Sequence, residues 1–476
     1  MLVSIRAGAG EPEVARTAPQ VGWLAAALAA VGLGLAVGLL PLELAAGLVA
    51  GGIVVVLAFV EPLVALAALL VALPLSTLVT VEAGDFSVTA VEPLMVLLVA
   101  SWLARDIARR DIALVGGPIP AALGLVLLAV LASSLAAERP GLAYKETIKW
   151  LELVVVFLFT VAHLRGEDRQ RAILAVLLLT GAGEALYGAF QYATGQGPTA
   201  FVVGEALRAY GHFEQPNPFA GYLGTILPLG LALAATRRPP GLAGLAGLAT
   251  AAVAVGILLS LSRGAWVGII IGLAAMLVAW SPAVRRWLPA SAAGLVLVVL
   301  LTASNILPGG WSDRLVAVVE NFGIFDVRSV DVTGENFAVV ERMAHWQAGW
   351  YMLLDHPLLG VGIGNYPAAY DTYALPGWPE PLGHAHNYYL NMAAETGLPG
   401  AAALLVLMGV IYRTILHGLK RQPPGSFARA LLVGLLGSFV VLTVHNLFDN
   451  LLVHGMPVQV GFLLGLLSLA ANPADA

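Results

Sequence analysis

The sequence predicts an all-α, polytopic integral membrane protein. Of its 476 residues, 59% are hydrophobic and only 11% are charged, which is less than half the charged share of a soluble globular domain. The mean hydropathy is +0.87, and long apolar runs alternate with short polar connections, as in chains whose helices cross a bilayer. These observations exclude a soluble cytosolic enzyme.

Apolar stretches of about 20 residues, the length that crosses the hydrocarbon core, predict about 12–14 transmembrane helices. The stretches lie near 21–40, 44–60, 62–81, 88–104, 118–137, 148–164, 172–193, 217–236, 242–261, 264–280, 288–307, 398–417, 427–448 and 456–473. Residues 1–20 are polar and carry arginines, and the apolar run after them has full spanning length. We therefore expect no cleaved signal peptide.

The segment 308–397 is far longer than any other connection, and loops of that length are usually functional. If the N-terminus is cytoplasmic, most of the 24 Lys and Arg residues fall in cytoplasmic loops, as the positive-inside rule requires. We therefore predict transmembrane helices in 1–307, one long periplasmic or extracellular catalytic loop in 308–397, and C-terminal transmembrane helices in 398–476. Within the loop, the spacing of polar residues over 336–356 predicts an amphipathic helix that stops at a Pro/Gly turn.

The composition also limits the chemistry. The chain has no Cys, so disulfides, thiolate catalysis and Cys-ligated zinc are excluded, and histidine remains as the base that works near neutral pH. The net charge of -5 is too slight to indicate a nucleic-acid partner. GVGIGN (360–365) is Gly-rich, but it follows a helix rather than a strand, so a tight turn is favoured over a nucleotide-phosphate loop.

Four polar clusters lie on the predicted outer side although they are far apart in sequence. They are RAYGHFEQPNPFAGYL (208–223), LSRGAW (261–266), ERMAHW (341–346) and GHAHNYYLNMAAETGLPG (383–400). A site built from several loops requires such convergence on one face of the membrane.

Arginines supply the positive charge of these clusters. Arg263 stands between two apolar runs, and an arginine at membrane depth indicates function, although anchoring a hairpin at the interface is the alternative. For Arg342, the alternative interpretation is a residue on the solvated face of the helix that pairs with Glu341 or Glu335. Together with Arg208 in one cavity, these arginines would suit a diphosphate, because guanidinium groups match phosphate oxygens bidentately.

His384 and His386 precede or begin a predicted helix at 386–397. Two close ligands match no known zinc spacing, so we predict no metal. A histidine beside arginines suits a general base, because cationic surroundings favour its neutral form. Capping of the helix, or packing on Tyr388 and Tyr389, is the alternative.

Four motifs stand out: R-x-x-G-x-F-x-x-P-N-x-x-A (208–220), SRGAW (262–266), R-x-x-x-W (342–346) followed by HPLLGVGIGNY, and HAHNYYLNMAAETGLPG (384–400). Together they resemble the O-antigen ligase and polymerase superfamily of bacterial envelope glycan enzymes. The resemblance covers roughly residues 200–400, and the first 200 residues match only as generic spans.

The resemblance implies a metal-independent, cofactor-free glycosyltransferase on the outer face of the cytoplasmic (inner) membrane. Its donor would be a polyprenyl (undecaprenyl) diphosphate-linked glycan and its acceptor a hydroxyl of a lipid or glycan such as lipopolysaccharide core, with no nucleic acid or nucleotide as partner. The resemblance places the catalytic residues at His386, Arg263 and Arg342. The residues expected to bind substrate are Arg208, His212, Asn217, His384, Asn387, Tyr388 and Glu395.

The sequence is compatible with three functions. An O-antigen ligase moves a finished glycan, and the H-N-x-x-L and E-T-G-L-P-G run favours it over a polymerase, which uses a second lipid-linked repeat as acceptor. A lipid-linked oligosaccharide flippase or transporter is the rival from another class, and Glu92, Glu184 and the cluster of His445, Asp449 and His454 are its candidate residues. The absence of Lys and Arg from the middle of the predicted spans argues against transport.

Overall fold

The computed structural model describes residues 2–6, 32, 41–78, 80–83, 86–203, 206–236, 240–281, 326–333 and 336–472. Within these ranges the chain is predominantly helical. Seven of the described helices are long and apolar enough to cross a membrane, and three shorter apolar helices accompany them. The prediction of an all-α, polytopic membrane protein is therefore confirmed.

The described helices are numbered here in chain order. They are α1 (Leu42–Val60), α2 (Leu63–Ala72), α3 (Val91–Arg109), α4 (Pro118–Ser133), α5 (Pro140–His163), α6 (Glu167–Thr194), α7 (Pro216–Thr236), α8 (Pro240–Leu259), α9 (Arg263–Trp280), α10 (Phe337–Asp355), α11 (Tyr366–Tyr373), α12 (Tyr388–Arg421), α13 (Phe427–His445) and α14 (Met456–Ala471).

Short antiparallel ribbons supply the strands of the described residues. They pair β1 (Leu2–Arg6) with β4 (Asp111–Val115), β2 (Val81–Ala83) with β3 (Phe86–Val88), and β5 (Val202–Val203) with β6 (Ala206–Leu207). The last ribbon leads directly into the segment that enters α7.

The predicted spans that fall on described residues all coincide with helices, but two boundaries differ. The stretch near 62–81 contains only the short helix α2, because Pro74 cannot donate the backbone hydrogen bond that a further turn needs. The helix predicted at 386–397 and the span at 398–417 form one element, α12, which bends at Gly397, where φ is 67° and ψ is -172°. The stretches 21–40, apart from residue 32, and 288–307 lie outside the described residues, as does 308–325.

The amphipathic helix predicted at 336–356 is confirmed as α10. The Gly-rich segment after it forms the expected tight turn, with positive φ at Gly360, Gly362 and Gly364. Its amides are used inside the protein: Val361 N–H donates to the Ala394 carbonyl at 2.9 Å, and Gly362 N–H donates to the backbone carbonyl of α12 one residue further on, at 3.0 Å. The turn is thereby fastened to the first part of α12.

Helix α13 packs between α7 and α9. Glycines on α9 let the backbones of α9 and α13 approach each other closely. Gly264, Gly268 and Gly272 are spaced by four residues and therefore share one face of the helix. A Cβ atom at Gly268 would lie 3.1 Å from the Val441 carbonyl oxygen, and one at Gly272 would lie 3.0 Å from the Gly437 carbonyl oxygen. Small residues drive this kind of packing where lipid replaces water.

The same face positions the beginning of α9. A Cβ atom at Gly264 would lie 2.9 Å from the His445 ring carbon Cδ2, at the end of α13. Arg263, the first residue of α9, is therefore held beside the loop that joins α13 to α14.

We expect Gly268→Leu to destabilise the protein, because the added side chain meets the α13 backbone and forces the helices apart, at a cost of about 1–3 kcal/mol. The measurement is the melting temperature of purified protein in detergent. Gly247→Leu on α8 is the matched control, since no atom lies within 4 Å of a Cβ there. Equal melting temperatures for the two variants would contradict the packing argument.

Candidate functional site

Several helix ends meet at one end of the bundle, and Arg208 connects three of them. Its Nε donates to the Ser260 carbonyl after α8 at 2.8 Å, and one Nη donates to Asn217 Oδ1 in α7 at 2.9 Å. Asn217 Oδ1 also accepts from Ser262 Oγ at 3.0 Å, just before α9. Arg208 and Asn217, both predicted to bind substrate, therefore form one fixed unit with the start of α9.

The positive charges of Arg208, Arg263 and Arg342, the three predicted arginines, act on one another. Burial lowers the pKa of Arg208, the positive charges of Arg342 and Arg263 lower it further, and the carboxylate of Asp449 opposes the shift. Arginine stays protonated in proteins even so. Three positive charges therefore act in this region, and Asp449 is the one carboxylate that contributes to the pKa of Arg208.

Arg263 is placed where its own helix disfavours a cation. It is the first residue of α9, and the partial positive charge of a helix N-terminus repels positive side chains. It is also exposed. An exposed arginine held against this field is poorly explained by stability and well placed to bind an anion.

The loop before α12 holds His386 in a strained conformation. His386 has a φ of 51°, which is uncommon for a residue other than glycine. Its N–H donates to His384 Nδ1 at 3.1 Å, and its carbonyl accepts from Trp346 Nε1 of α10 at 3.3 Å. Asn387 is the N-cap of α12, and its side chain accepts from the Leu390 N–H at 3.1 Å. Such strain persists only where neighbouring contacts enforce it, and it is frequent at functional sites.

Neither ring nitrogen of His386 has a hydrogen-bond partner among the described residues, although both are buried. A buried polar group is normally satisfied. Its ring packs edge-on against the rings of His384, 4.4 Å away, and His345 of α10, 5.5 Å away. The position of the ring is thus fixed by packing, while neither nitrogen is engaged in a hydrogen bond with another described residue.

Asp449 faces both histidines of the loop. Its Oδ1 lies 3.8 Å from His386 Nδ1 and 3.9 Å from His384 Nε2. Burial by itself would raise the pKa of Asp449, but the His386 side chain and the attraction of the surrounding histidines when they are protonated outweigh it and hold the pKa well below its usual range. Asp449 is therefore a carboxylate at neutral pH.

The neighbouring histidines are neutral at pH 7. Burial lowers the pKa of His384 to about 4, and the nearby His386 ring contributes to the shift. Burial likewise lowers the pKa of His345 to about 4, again with a contribution from His386. Since His384 Nδ1 accepts the His386 amide hydrogen, the proton of neutral His384 lies on Nε2, the atom that faces Asp449.

A cation could find ligands in this cluster. The nearest ligand atoms of His384, His386 and Asp449 all lie within 4.8 Å of one another, and catalytic zinc uses three protein ligands. However, His384 Nδ1 is already bonded to the His386 amide, and the positive charges of Arg342 and Lys149 act on the His384 ring. These charges disfavour a divalent cation there, and metal independence stays a prediction.

The other residues predicted to bind substrate lie around this centre. His212 pairs with Glu184 of α6, with Nδ1 3.0 Å from Oε2, and its ring stacks on Tyr187. Glu395 is buried in α12 and accepts from the Tyr366 N–H at 3.1 Å, which ties it to the Gly-rich turn. In these contacts His212 and Glu395 support the segments that carry Arg208 and His386.

Tyr388 and Asp449 are linked through the backbone. The Tyr388 N–H donates to the Asp449 carbonyl at 3.1 Å and to the Asn446 carbonyl at 2.9 Å. In the sequence, Asp449 is a candidate residue only of a transporter, in a cluster with His445 and His454. The available sequence signal was a carboxylate soon after the end of the penultimate helix. Its partner His386 lies more than 60 residues earlier in the sequence, so the signal does not reveal the contact.

A family model described as "O-Antigen ligase" matches residues 248–405, and no curated protein matches the chain. The matched segment includes Arg263, Arg342, His384 and His386, and it agrees with the resemblance noted in the motifs. The protein is a multi-pass membrane protein whose residues 248–405 match the O-antigen ligase family model.

Proposed function

We propose that the protein is a metal-independent, inverting glycosyltransferase. It moves a glycan from a polyprenyl diphosphate donor to an acceptor hydroxyl on the outer face of the cytoplasmic membrane. One observation carries the proposal: the imidazole of His386, whose ring nitrogens have no hydrogen-bond partner among the described residues, lies beside the Asp449 carboxylate, in the same site as Arg208, Arg263 and Arg342. The charge distribution of the loops supports the outward orientation.

The arginines bind the donor diphosphate. Arg208 is fixed by Asn217 and Ser260, so it presents a preorganised charge, whereas Arg263 is exposed. Diphosphate carries several negative charges, and fixed donors stabilise those charges as they grow on the leaving group. Arginine supplies this stabilisation without a metal ion.

His386 acts as the general base through Nε2. Its Nδ1 faces the Asp449 carboxylate, which favours the tautomer with the proton on Nδ1 and leaves Nε2 to accept a proton. The acceptor oxygen attacks the anomeric carbon as Nε2 takes the hydroxyl proton. The bond from that carbon to the diphosphate oxygen breaks, and its electron pair leaves with the diphosphate. One displacement of this kind inverts the anomeric configuration.

Within the superfamily, a ligase and a polymerase differ in their acceptor rather than in these steps. The E-T-G-L-P-G run at 395–400 favours the ligase. A flippase is the remoter alternative. It would need a polar path between the two membrane faces, whereas the described arginines of the site gather at one end of the helices.

The decisive experiment supplies detergent-solubilised protein with undecaprenyl diphosphate-linked oligosaccharide, candidate acceptors and EDTA. We expect a glycosylated product of inverted configuration and free undecaprenyl diphosphate, detected by mass spectrometry and NMR. Product size separates single transfer from polymerisation. Loss of turnover with EDTA, or retention of configuration, would contradict the proposal.

His386→Ala should lower kcat in this assay by about 10²–10⁴-fold, because proton removal from the acceptor loses its base. His356→Ala is the matched control, since His356 is an exposed residue just after α10. Equal kcat for His386→Ala and the wild type would remove His386 from the mechanism.

Arg263→Lys should reduce kcat/KM for the donor by about 10–100-fold, because lysine keeps the charge but loses the bidentate hydrogen bonds. Arg328→Lys, in an exposed pair with Asp326, serves as control. If both variants match the wild type, Arg263 is an interfacial anchor.

Asp449→Asn should lower kcat by about tenfold or more with little change in KM for the donor, because the carboxylate that holds the His386 tautomer is replaced. Asp326→Asn is the control, and elution on size exclusion verifies the fold of each variant. A rise in donor KM at unchanged kcat would assign Asp449 to binding instead.

A further inference from the structure

An exposed apolar surface lies where α10 ends and meets the bend of α12. This surface, here called the apolar face, comprises Trp350, Tyr351, Leu354, Leu358, Leu359 and Leu398. Trp350 is 51% exposed, Leu354 56%, Leu358 72% and Leu398 57%. Single exposed apolar residues are ordinary, but a contiguous group of them marks an interaction surface. The function proposed above assigns no role to this face.

The last turns of α10 are apolar on both sides. Trp350 and Leu354 are four residues apart and share the exposed side of the helix, while Met352 and Leu353 are buried against the rest of the protein. The first turns differ, since they carry the partly exposed Arg342. A helix end that faces water on one side normally carries polar residues on that side.

Helix α12 shows which level of the membrane this face reaches. From Leu398, just after the bend, to Lys420 in the last turn, the helix rises about 33 Å at 1.5 Å per residue, close to the hydrocarbon thickness of about 30 Å. Leu398, Leu405 and Leu416 are exposed at intervals of two and three turns, so they share one side of this span. Leu398 therefore lies at the edge of a lipid-facing surface.

The apolar face is joined to this lipid-facing surface through the backbone. The Leu398 N–H donates to the Pro357 carbonyl at 2.8 Å. A Cβ atom at Gly397 would lie 2.6 Å from the backbone carbonyl of Leu358. Leu358 therefore lies at the level of Leu398, and the exposed residues of α10 continue the surface that lipid covers on α12.

We propose that the apolar face rests in the interface of the bilayer, at the boundary between phospholipid head groups and acyl chains. Trp350 and Tyr351 are of the residue types enriched at that level. Asp355 and His356 next to them are also exposed, so the contact stops at the interface, because charged groups are costly in the hydrocarbon core.

This contact fixes the height of the candidate site above the membrane. Helix α10 carries Arg342, and its Trp346 holds the His386 carbonyl at 3.3 Å. Since the end of the same helix is both immersed and bonded to α12, the site cannot move away from the bilayer without removing apolar side chains from lipid. The face acts as a membrane anchor for the loop.

The test measures the surroundings of single labelled positions. The chain has no Cys, so nitroxide labels can be placed on Leu354→Cys and Leu358→Cys in phosphatidylcholine nanodiscs. Power-saturation EPR compares collisions with oxygen, which concentrates in lipid, and with a nickel chelate, which stays in water. We expect an oxygen-to-nickel ratio about threefold or more above that of Asp371→Cys, an exposed position on α11. Leu405→Cys, which lies deeper in the span, should give a still higher ratio.

A second measurement checks the depth. Bimane on Leu358→Cys should be quenched more by phosphatidylcholine brominated near the head group than by phosphatidylcholine brominated near the end of the acyl chain. Bimane on Leu405→Cys should show the reverse order. Quenching of both positions in the same order would overturn the interfacial placement.

Two accessibility results would overturn the proposal. Nickel access at Leu354→Cys and Leu358→Cys equal to that at Asp371→Cys would place the face in water. Low access to both reagents would show that protein, from this chain or a partner, covers it. Neither measurement needs turnover, so a protein that shows the expected depths but transfers no glycan would contradict the proposed function and leave the membrane contact supported.

Discussion

The mutual repulsion of three guanidinium groups is the constraint around which this end of the bundle is organised. Like charges that act on one another destabilise a fold, more so where water is partly excluded, and the positive charges of Arg342 and Arg263 both lower the pKa of Arg208. The fold offsets the repulsion with neutral acceptors, the Asn217 amide and the Ser260 carbonyl, and with the single carboxylate of Asp449. An anion with several charges would complete the compensation.

The apolar packing below the site makes this arrangement possible. Glycines on α9 bring its backbone against α13, so Arg263 lies beside the loop that carries Asp449. Since lipid offers no hydrophobic driving force between helices, close backbone contact supplies the stability. The polar site is therefore positioned by residues that carry no chemistry of their own.

Much of this organisation could be predicted from the sequence. The apolar runs predicted the helices, and the mixed polar pattern at 336–356 predicted α10. The motifs predicted a resemblance over roughly residues 200–400 to the superfamily whose family model matches 248–405. These signals are local, because periodicity and short motifs are contained in a few neighbouring residues. The assignment of His386, Arg263 and Arg342 to catalysis stays a prediction that their convergence supports.

The rest depends on contacts between distant segments. Asp449 was assigned to a transporter because nothing in its own neighbourhood points to His386. The bend at Gly397 was interpreted as the end of one helix, since glycine followed closely by Pro399 commonly ends a helix. The short helix α2 was overestimated because its apolar run continues beyond Pro74. In each case the contact or the backbone angle that decides the structure cannot be read from the neighbouring residues in the sequence.

The beginning of α12 connects the two sides of the site. The strained loop before it presents His386, its N-cap Asn387 stabilises the helix start, and Tyr388 follows with its amide bonded to the Asp449 carbonyl. A shift of this helix start would therefore move the proposed base relative to the carboxylate that faces it. The turn 360–365 fastened to Ala394 and Glu395 opposes such a shift. That coupling gives a physical reason for a buried glutamate, Glu395, among the buried apolar residues of α12.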